Sequence, residues 1–595
     1  MISFVPICRK RPRFPARPRP VLASCHALVL ACVLTLIGTT CASAVAAGRS
    51  DTQAAGTASE AVSHAGDKRP ATSPDIVADQ RIELHENAGI GTTVAVSVGI
   101  PFAPGVLRDT HLLRILDEHG AEVPAAVQTT LRWHGKDGSI RAVRAQFHAQ
   151  AGKQHTFYFA LGKPRTLELA GWPYSAGLVD GEQGTKVSAA LATLTPAWLC
   201  ESLIAGPQWP AAAGEAQAGF VSTQFEWARK LPVGDPSAWL FDRPSTLYKA
   251  YIRTGRYDYL QAAELSYHFY MKYIERSGLA MSPFCAGGWT YNHKPCDVKY
   301  VYVEPTLLAL GLTGDDSQYD TDTIDKMMTL WENGGWNNPP GPYSDPRQEF
   351  TERFAGLGLL ETVSAYELTG DARYLERVKD RIGWLYDHQR NNPDKLGNDG
   401  SWRNSWLMHE GGDWDPAKEV RGSSPWMSEN IIDGLWHAWL VTGDQRIPPM
   451  ITDFGRYMER YGWIRPEQML NPHGWRNPCS GDDGQIAWYW SSAHASKEAM
   501  DRIQESEGWY SDAHTVELAL PVAAARYFER DPQQSAALER RLAAISHSYN
   551  KACAVDADTL RRFNWNNRGS GVVAWLIRQP AGSGMAASAM KQAKP

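Results

Sequence analysis

Five stretches of this chain gather residues that can do acid–base chemistry beside stacking surfaces. The first runs Trp289, Tyr291, Asn292, His293 and Lys294, and leads to Tyr300, Tyr302 and Glu304. The second leads to Glu349 and Arg353. The third holds Trp402, Arg403, Asn404, Trp406, His409, Glu410, Asp413 and Trp414, then Trp426 and Glu429. The fourth holds His473, Trp475, Arg476, Tyr489 and Trp490, then Tyr510 and His514. The last is Asn564, Trp565, Asn566, Asn567 and Arg568. Indoles offer an apolar face with a polar edge, which suits the C–H faces of sugar rings.

Two reactions use such groups. β-Elimination at a uronate needs a cation or amide to neutralise the carboxylate and acidify the C5 proton, a base to take that proton, and an acid for the leaving oxygen. Arg353, Arg403 or Asn404 fits the first role, His293, His409 or His514 the second, and Tyr291 or Tyr489 the third. Trp289, Lys294, Trp406, Glu410, Trp426, Glu429, Asn564 and Trp565 are expected to bind substrate. Hydrolysis needs instead two carboxylates flanking the bond, one with a raised pKa. Glu410, Asp413 and Glu429 are the candidates, with Glu304 and Glu349 behind them, and a dry site between tryptophans would raise one of them. A glycan-binding protein without catalysis would keep the aromatics and need no acid–base set.

Each residue also has a plainer reading. Tyr300 and Tyr302 can be packing, Glu304 before Pro305 a helix cap, and Glu349 with Arg353 a surface pair one turn apart. His473 and Arg476 can be solvated loop residues, His409 with Glu410 a structural pair, and Asn564–Arg568 an ordinary turn. His514 precedes the apolar run from Val516 to Tyr527, so it is expected to point inward. No phosphate-binding glycine motif, nucleophile elbow or zinc-ligand spacing occurs. Chemistry without cofactor or metal is therefore expected.

The elements that must position these residues come from an internal repeat. Ala250 to Thr254-Gly255-Arg256, Ala309 to Thr313-Gly314-Asp315, Ala365 to Thr369-Gly370-Asp371 and Ala438 to Thr442-Gly443-Asp444 share one pattern. Ala525 to Asp531 is a degenerate fifth copy. Gly suits the left-handed residue after a helix, and Asp can cap the next one. The helix before each Thr-Gly is nearly all apolar, as in Leu357–Val363 or Ile431–Trp436. The one after is amphipathic, as in Tyr374–Leu385. Inner helices wrapped by outer ones imply an (α/α) toroid of about six helical pairs; an open superhelical solenoid is the alternative. The tight turns close one end of the inner helices. The long loops, roughly 279–299, 332–348, 389–427 and 464–512, must then gather at the inner N-termini, where backbone amides favour anions.

Upstream, alternating stretches such as Thr93–Val98, Val127–Trp133, Ile140–Phe147 and Thr156–Ala160 read as strands of a β-sandwich-like domain. Within them Gly99-Ile100-Pro101-Phe102-Ala103-Pro104-Gly105, Leu113–Asp117, Glu122–Ala125 and Asp137–Arg141 resemble the N-terminal β module of the exo-rhamnogalacturonan lyase type (polysaccharide lyase family 26). The resemblance spans roughly residues 81–164 and implies a polysaccharide lyase. In that family the module is not the catalytic part, so the chemistry is expected in the helices.

The start of the chain reads as a Sec-type signal peptide over 1–47. Arg9, Lys10, Arg11, Arg13, Arg17 and Arg19 precede an apolar run from about Ala27 to Ile37 and small residues at 41–47. A flexible linker is expected over 48–79, the β domain over 80–200, the toroid over 201–580 and a disordered tail over 581–595. Removing the leader takes Cys8, Cys25, Cys32 and Cys41 and leaves Cys200, Cys285, Cys296, Cys479 and Cys553, an odd number. Cys285 and Cys296 are close enough in sequence to pair after export. A net charge of −5 argues against a nucleic-acid partner, and nothing beyond the leader suggests a membrane. The 23 Trp beside 23 Tyr leave a poly- or oligosaccharide as the expected partner, in the periplasm or outside the cell. Nothing in the sequence selects an oligomeric state.

Overall fold

The Thr-Gly repeat ends one helix after another in the same way. Thr254, Thr313, Thr369 and Thr442 each donate their hydroxyl to the carbonyl of the Ala four residues back, at 2.7, 2.8, 2.7 and 2.6 Å. Gly255, Gly314, Gly370 and Gly443 follow with φ of 64, 74, 72 and 64°, a region open to glycine at little cost. Asp371 and Asp444 then accept from the amides of Arg373 and Arg446, which starts the next helix. The fifth copy departs from the rule. Glu529 stands in the threonine position and Arg530 in the glycine position; the Glu529 backbone is extended, and its carboxylate takes Arg456 in two bonds of 2.8 Å.

The structure is a computed structural model that describes residues 77–86, 89–235, 242–273, 298–332, 351–392, 394–406, 420–464, 486–496, 499–500, 515–549 and 559–585. The expected leader, nearly all of the linker, and residues 586–595 of the tail lie outside the described residues. So do Cys285, Cys296, Cys479 and Cys553. Cys200 is a buried free thiol, pushed up to about 12 by burial.

The chain is mainly helical with an N-terminal β region. The strands are β1 (Arg81–Glu86), β2 (Thr93–Pro101), β3 (Leu113–Asp117), β4 (Glu122–Val123), β5 (Ala125–Arg132), β6 (Ile140–Gln150), β7 (Thr156–Leu161), β8 (Leu178–Asp180), β9 (Lys186–Ser188) and β10 (Ala190–Leu194). They form an antiparallel five-stranded sheet in the order β10-β1-β7-β3-β4, a three-stranded sheet β2-β6-β5, and the hairpin β8-β9. The two larger sheets share one apolar cluster that includes Ile82, Val96, Val98, Phe147, Phe157 and Phe159.

The helices are α1 (Pro196–Glu201), α2 (Ala216–Ala228), α3 (Arg243–Thr254), α4 (Tyr257–Tyr273), α5 (Glu304–Leu312), α6 (Thr321–Trp331), α7 (Glu352–Thr369) and α8 (Ala372–Arg390). They continue with α9 (Pro425–Thr442), α10 (Ile447–Tyr457), α11 (Ala519–Phe528), α12 (Pro532–Tyr549), α13 (Thr559–Asn567) and α14 (Ser570–Leu576). Burial separates two kinds. Every residue of α5 and nearly every residue of α7 and α9 is buried. In α8 only Tyr374, Val378, Arg381, Ile382, Leu385, His388 and Gln389 are, one stripe at helical spacing. The enclosed helices touch in sequence: α3 meets α5, α5 meets α7, α7 meets α9, α9 meets α11, α11 meets α14, and α14 meets α3.

The three-stranded sheet sits on the turn end of α5 and α7. Arg141 bonds Glu367 at 2.9 Å, Thr130 donates to the Leu310 carbonyl at 3.0 Å, and Arg144 pairs with Asp316. Gly99 is required there, because a Cβ would fall 2.6 Å from the Leu312 carbonyl carbon and 2.7 Å from the Gly314 nitrogen. With the turn end covered, the N-terminal ends of the same helices face the other way.

Candidate active site

Helix N-termini leave backbone amides without partners and favour anions. Here buried carboxylates supply those anions. Asp242 caps α3 itself, accepting from the Ser245 amide at 3.0 Å. Val303 has no capping side chain, and the start of α5 is capped by Glu361 of α7, which accepts from the amides of Val303 and Glu304 at 2.5 and 3.1 Å. The start of α9 is capped by Glu352 of α7, which accepts from the Ser424 amide at 2.8 Å and the Ser423 hydroxyl at 3.0 Å.

These carboxylates draw cations into the interior. Lys249 of α3 reaches both oxygens of Glu304, at 2.7 and 2.9 Å. Arg568, between α13 and α14, bonds Glu429 at 2.8 Å, Asp433 at 2.9 Å and the Asn430 side-chain Oδ1 at 2.9 Å. All of these groups are buried. The outcome differs from one carboxyl to the next. Burial, with Asp242 and Glu304 nearby, pushes Glu361 well above the carboxylate range, despite the amides it accepts from. Burial and Glu304 push Asp242 up to about 7. Burial raises Glu429 against the opposing pull of Arg568, with Asp433 and Glu517 adding to the rise. Asp433, one turn along the same helix, is held low: burial opposes ionisation, but Arg568, Lys249 and His437 outweigh it.

An aromatic tier adjoins the charged one. Trp426, in the first turn of α9, lies 6.0 Å from Tyr489 and 5.7 Å from Trp565 between ring centroids. Trp406 meets Tyr489 and Trp490 edge-on at 6.3 and 5.4 Å. The Arg353 guanidinium, from the first turn of α7, stands 5.6 Å from the Trp426 ring. The two first turns adjoin because α7 and α9 cross closely: a Cβ on Gly356 would fall 2.2 Å from the Asn430 carbonyl carbon. Trp426, Tyr489 and Trp565 are buried, whereas Arg353 and Trp406 keep partial exposure.

Arg403, Asn404, Trp406, Trp426, Glu429, Tyr489, Asn564, Trp565 and Arg353 are thus within the described residues. Arg403 is fully buried. It bonds Asp394 twice at 2.8 Å, Asp399 at 2.9 Å and the Gly397 carbonyl at 2.6 Å, so its donors clamp its own loop. The backbone carbonyl of Arg403 meets His388 at 2.7 Å, and burial pushes that imidazole down to about 4. Asn404 begins β11 (Asn404–Ser405), which pairs with β12 (Arg421–Gly422). Its carboxamide is buried, and neither of its polar atoms has a hydrogen-bond partner among the described residues. Asn564 is buried within α13 rather than in a turn. Trp402 is core, donating to the Leu385 carbonyl at 3.1 Å. Tyr300 and Tyr302 are buried beside Tyr270. Trp289, Tyr291, His293, Lys294, Glu349, His409, Glu410, Asp413, His473, Arg476 and His514 lie outside the described residues.

Asp242, Lys249, Glu352, Glu361 and Asp433 were not singled out by residue type and spacing. The signal for two of them was present. Glu361 and Asp433 are charges inside helices apolar on every side, and a charge there needs a partner. No metal-holding group of His, Cys, Asp or Glu occurs, and no helix is long and apolar enough to cross a membrane, among the described residues. No protein-family model, curated protein or solved structure matches this chain.

Proposed function

We propose that this chain is an exported carbohydrate-active enzyme, a polysaccharide lyase that cleaves a uronic-acid-containing glycan by β-elimination. Its site is the N-terminal end of the enclosed helices. Arg353 carries the reading. It is a half-buried guanidinium beside the Trp426 ring, and it makes no ion pair among the described residues. A uronate seated there lays its carboxylate against Arg353, with the partly exposed Trp406 offering a face to the sugar. The guanidinium neutralises the carboxylate and so acidifies the C5 proton. A base, His293, His409 or His514, takes that proton. The electron pair forms the C4–C5 double bond as the C4–O bond breaks, and the leaving oxygen gains a proton from Tyr291 or Tyr489. The resemblance of residues 81–164 to the exo-rhamnogalacturonan lyase module supports a lyase. The order of helix contacts from α3 round to α14 and back to α3 supports an (α/α) toroid, with the β part as a sandwich-like module on its turn end.

Hydrolysis is the second reading, favoured by two neighbouring carboxyls shifted in opposite directions, Glu429 raised by burial and Asp433 lowered by Arg568, Lys249 and His437. Both carboxyls belong to one helix and share Arg568, which suits an internal brace better than two groups flanking a bond. Incubation with polygalacturonate, rhamnogalacturonan and alginate separates the readings. The lyase gives the ultraviolet absorbance of an unsaturated uronate on at least one of them. New reducing ends without that absorbance would replace the lyase by a hydrolase. Neither signal would leave a binding protein.

A further inference from the structure

The outer face of the sheet β2-β6-β5 carries polar side chains at alternate positions of β6 from Arg144 to Gln150. Arg144 stands opposite Gln128 on β5, and Gln146 opposite Ser97 on β2. The turn after α5 covers one part of this face and the loop through Trp172 crosses another. Between them lies a groove of about 490 Å³. It is at the turn end of α5, a helix length from Glu304 and the carboxylate cluster.

The groove is built, not incidental. Gln146 holds the Trp172 backbone from both sides, donating to its carbonyl at 2.9 Å and accepting from its amide at 3.0 Å. The Trp172 indole stacks on His148, with centroids 5.0 Å apart and planes 28° apart. Arg144, only 5 % exposed, donates to the Gln128 side-chain oxygen at 2.7 Å and pairs with one oxygen of Asp316. That arrangement orients both partners. With its oxygen turned to Arg144, Gln128 presents an NH₂ donor outward, and Asp316 keeps a second oxygen as acceptor. A sugar hydroxyl both donates and accepts, so it satisfies such a pair, while the indole takes a C–H face. Asp316 balances the charge of Arg144, which leaves no cation for an acidic ligand.

We infer that this groove is a second saccharide-binding site, for an uncharged glycan chain, separate from the candidate active site and independent of whether that site is a lyase. The test is electrophoresis of the full mature chain in native gels cast with galactan, xyloglucan or mannan. At least one polymer should retard the protein. Trp172→Ala should weaken the apparent affinity at least tenfold, and Gln128→Ala, an exposed residue of an edge strand, should weaken it with the thermal midpoint unchanged. Arg353→Ala should be retarded like the wild type. No retardation by any of the three polymers, or retardation unchanged in both groove variants, overturns the proposal. Loss in Arg353→Ala alone would assign the binding to the candidate active site and also overturns it.

Discussion

At the C-terminal ends of α3, α5, α7 and α9 the chain uses short-range bonds: a Thr hydroxyl to the carbonyl four residues back, a left-handed Gly, and an Asp or Arg two positions after the Thr. At the N-terminal ends it adds buried charges: α3 and α7 start on their own Asp242 and Thr351, but α5 and α9 start on carboxylates of α7. Lys249 meets Glu304, Glu361 caps α5, Glu352 caps α9, and Arg568 binds Glu429 and Asp433. A turn made of local bonds is rigid and inexpensive in desolvation. A buried charge network is costly to assemble and gives up much when one member is lost. The first suits a closed end of a scaffold, and the second suits an end that holds charged groups ready.

The contrast predicts unequal mutational costs. Arg568→Met should have the largest effect, about 3–5 kcal/mol in denaturant unfolding, because it strands Glu429 and Asp433 in the interior. Adding Glu429→Gln should recover part of that loss. A cost below about 1 kcal/mol would mean the network is not a brace. At the turn end, Gly99→Ala should cost about 1–3 kcal/mol, since the new Cβ meets backbone on α5 and the sheet must lift. Gly443→Ala isolates the turn itself. Its φ is 64° and nothing among the described residues lies within 4 Å of where a Cβ would stand, so about 1 kcal/mol of left-handed strain is expected and no packing change.

Asp315 extends one turn of the repeat into charge chemistry. It bonds the buried His268 at 2.5 Å. Burial opposes the imidazolium, but the hydrogen bond and charge of Asp315, with Glu264, push His268 up to about 9 from an ordinary 6.5. A raised histidine stabilises fully below its unfolded pKa and loses the contribution as pH rises through the folded one. The stability gap between wild type and His268→Gln should therefore be widest below pH 6.5 and close as pH passes about 9. A gap constant across that range would show that His268 does not change charge.

The same contrast explains what was legible in the sequence. Ala, Thr, Gly and Asp of the repeat bond within a few residues of one another, so their pattern survives as a string, and so does the alternation of enclosed and amphipathic helices. The strands of β2 and β6 were likewise visible through period-two alternation. The site bonds were not. Glu429 and Arg568 are 139 positions apart, Glu352 and Ser424 are 72 apart, and no local pattern links them. Arg403 and Asn404 look like ligands because they are polar and beside tryptophans, yet the Arg403 side chain is bound by its own loop. Glu361 and Asp433 stand out as charges in apolar runs, but their partners lie on other helices and so are not legible locally.

In the proposed reaction the N-terminal ends of the enclosed helices bind and cleave a uronate glycan through Arg353. The direct measurement is release of unsaturated uronate by wild type and Arg353→Ala, with thermal midpoints recorded for both. In the variant kcat/KM is expected to fall by a factor on the order of 100 at an unchanged midpoint, because Arg353 pairs with no carboxylate among the described residues. Wild-type turnover retained in Arg353→Ala would contradict it.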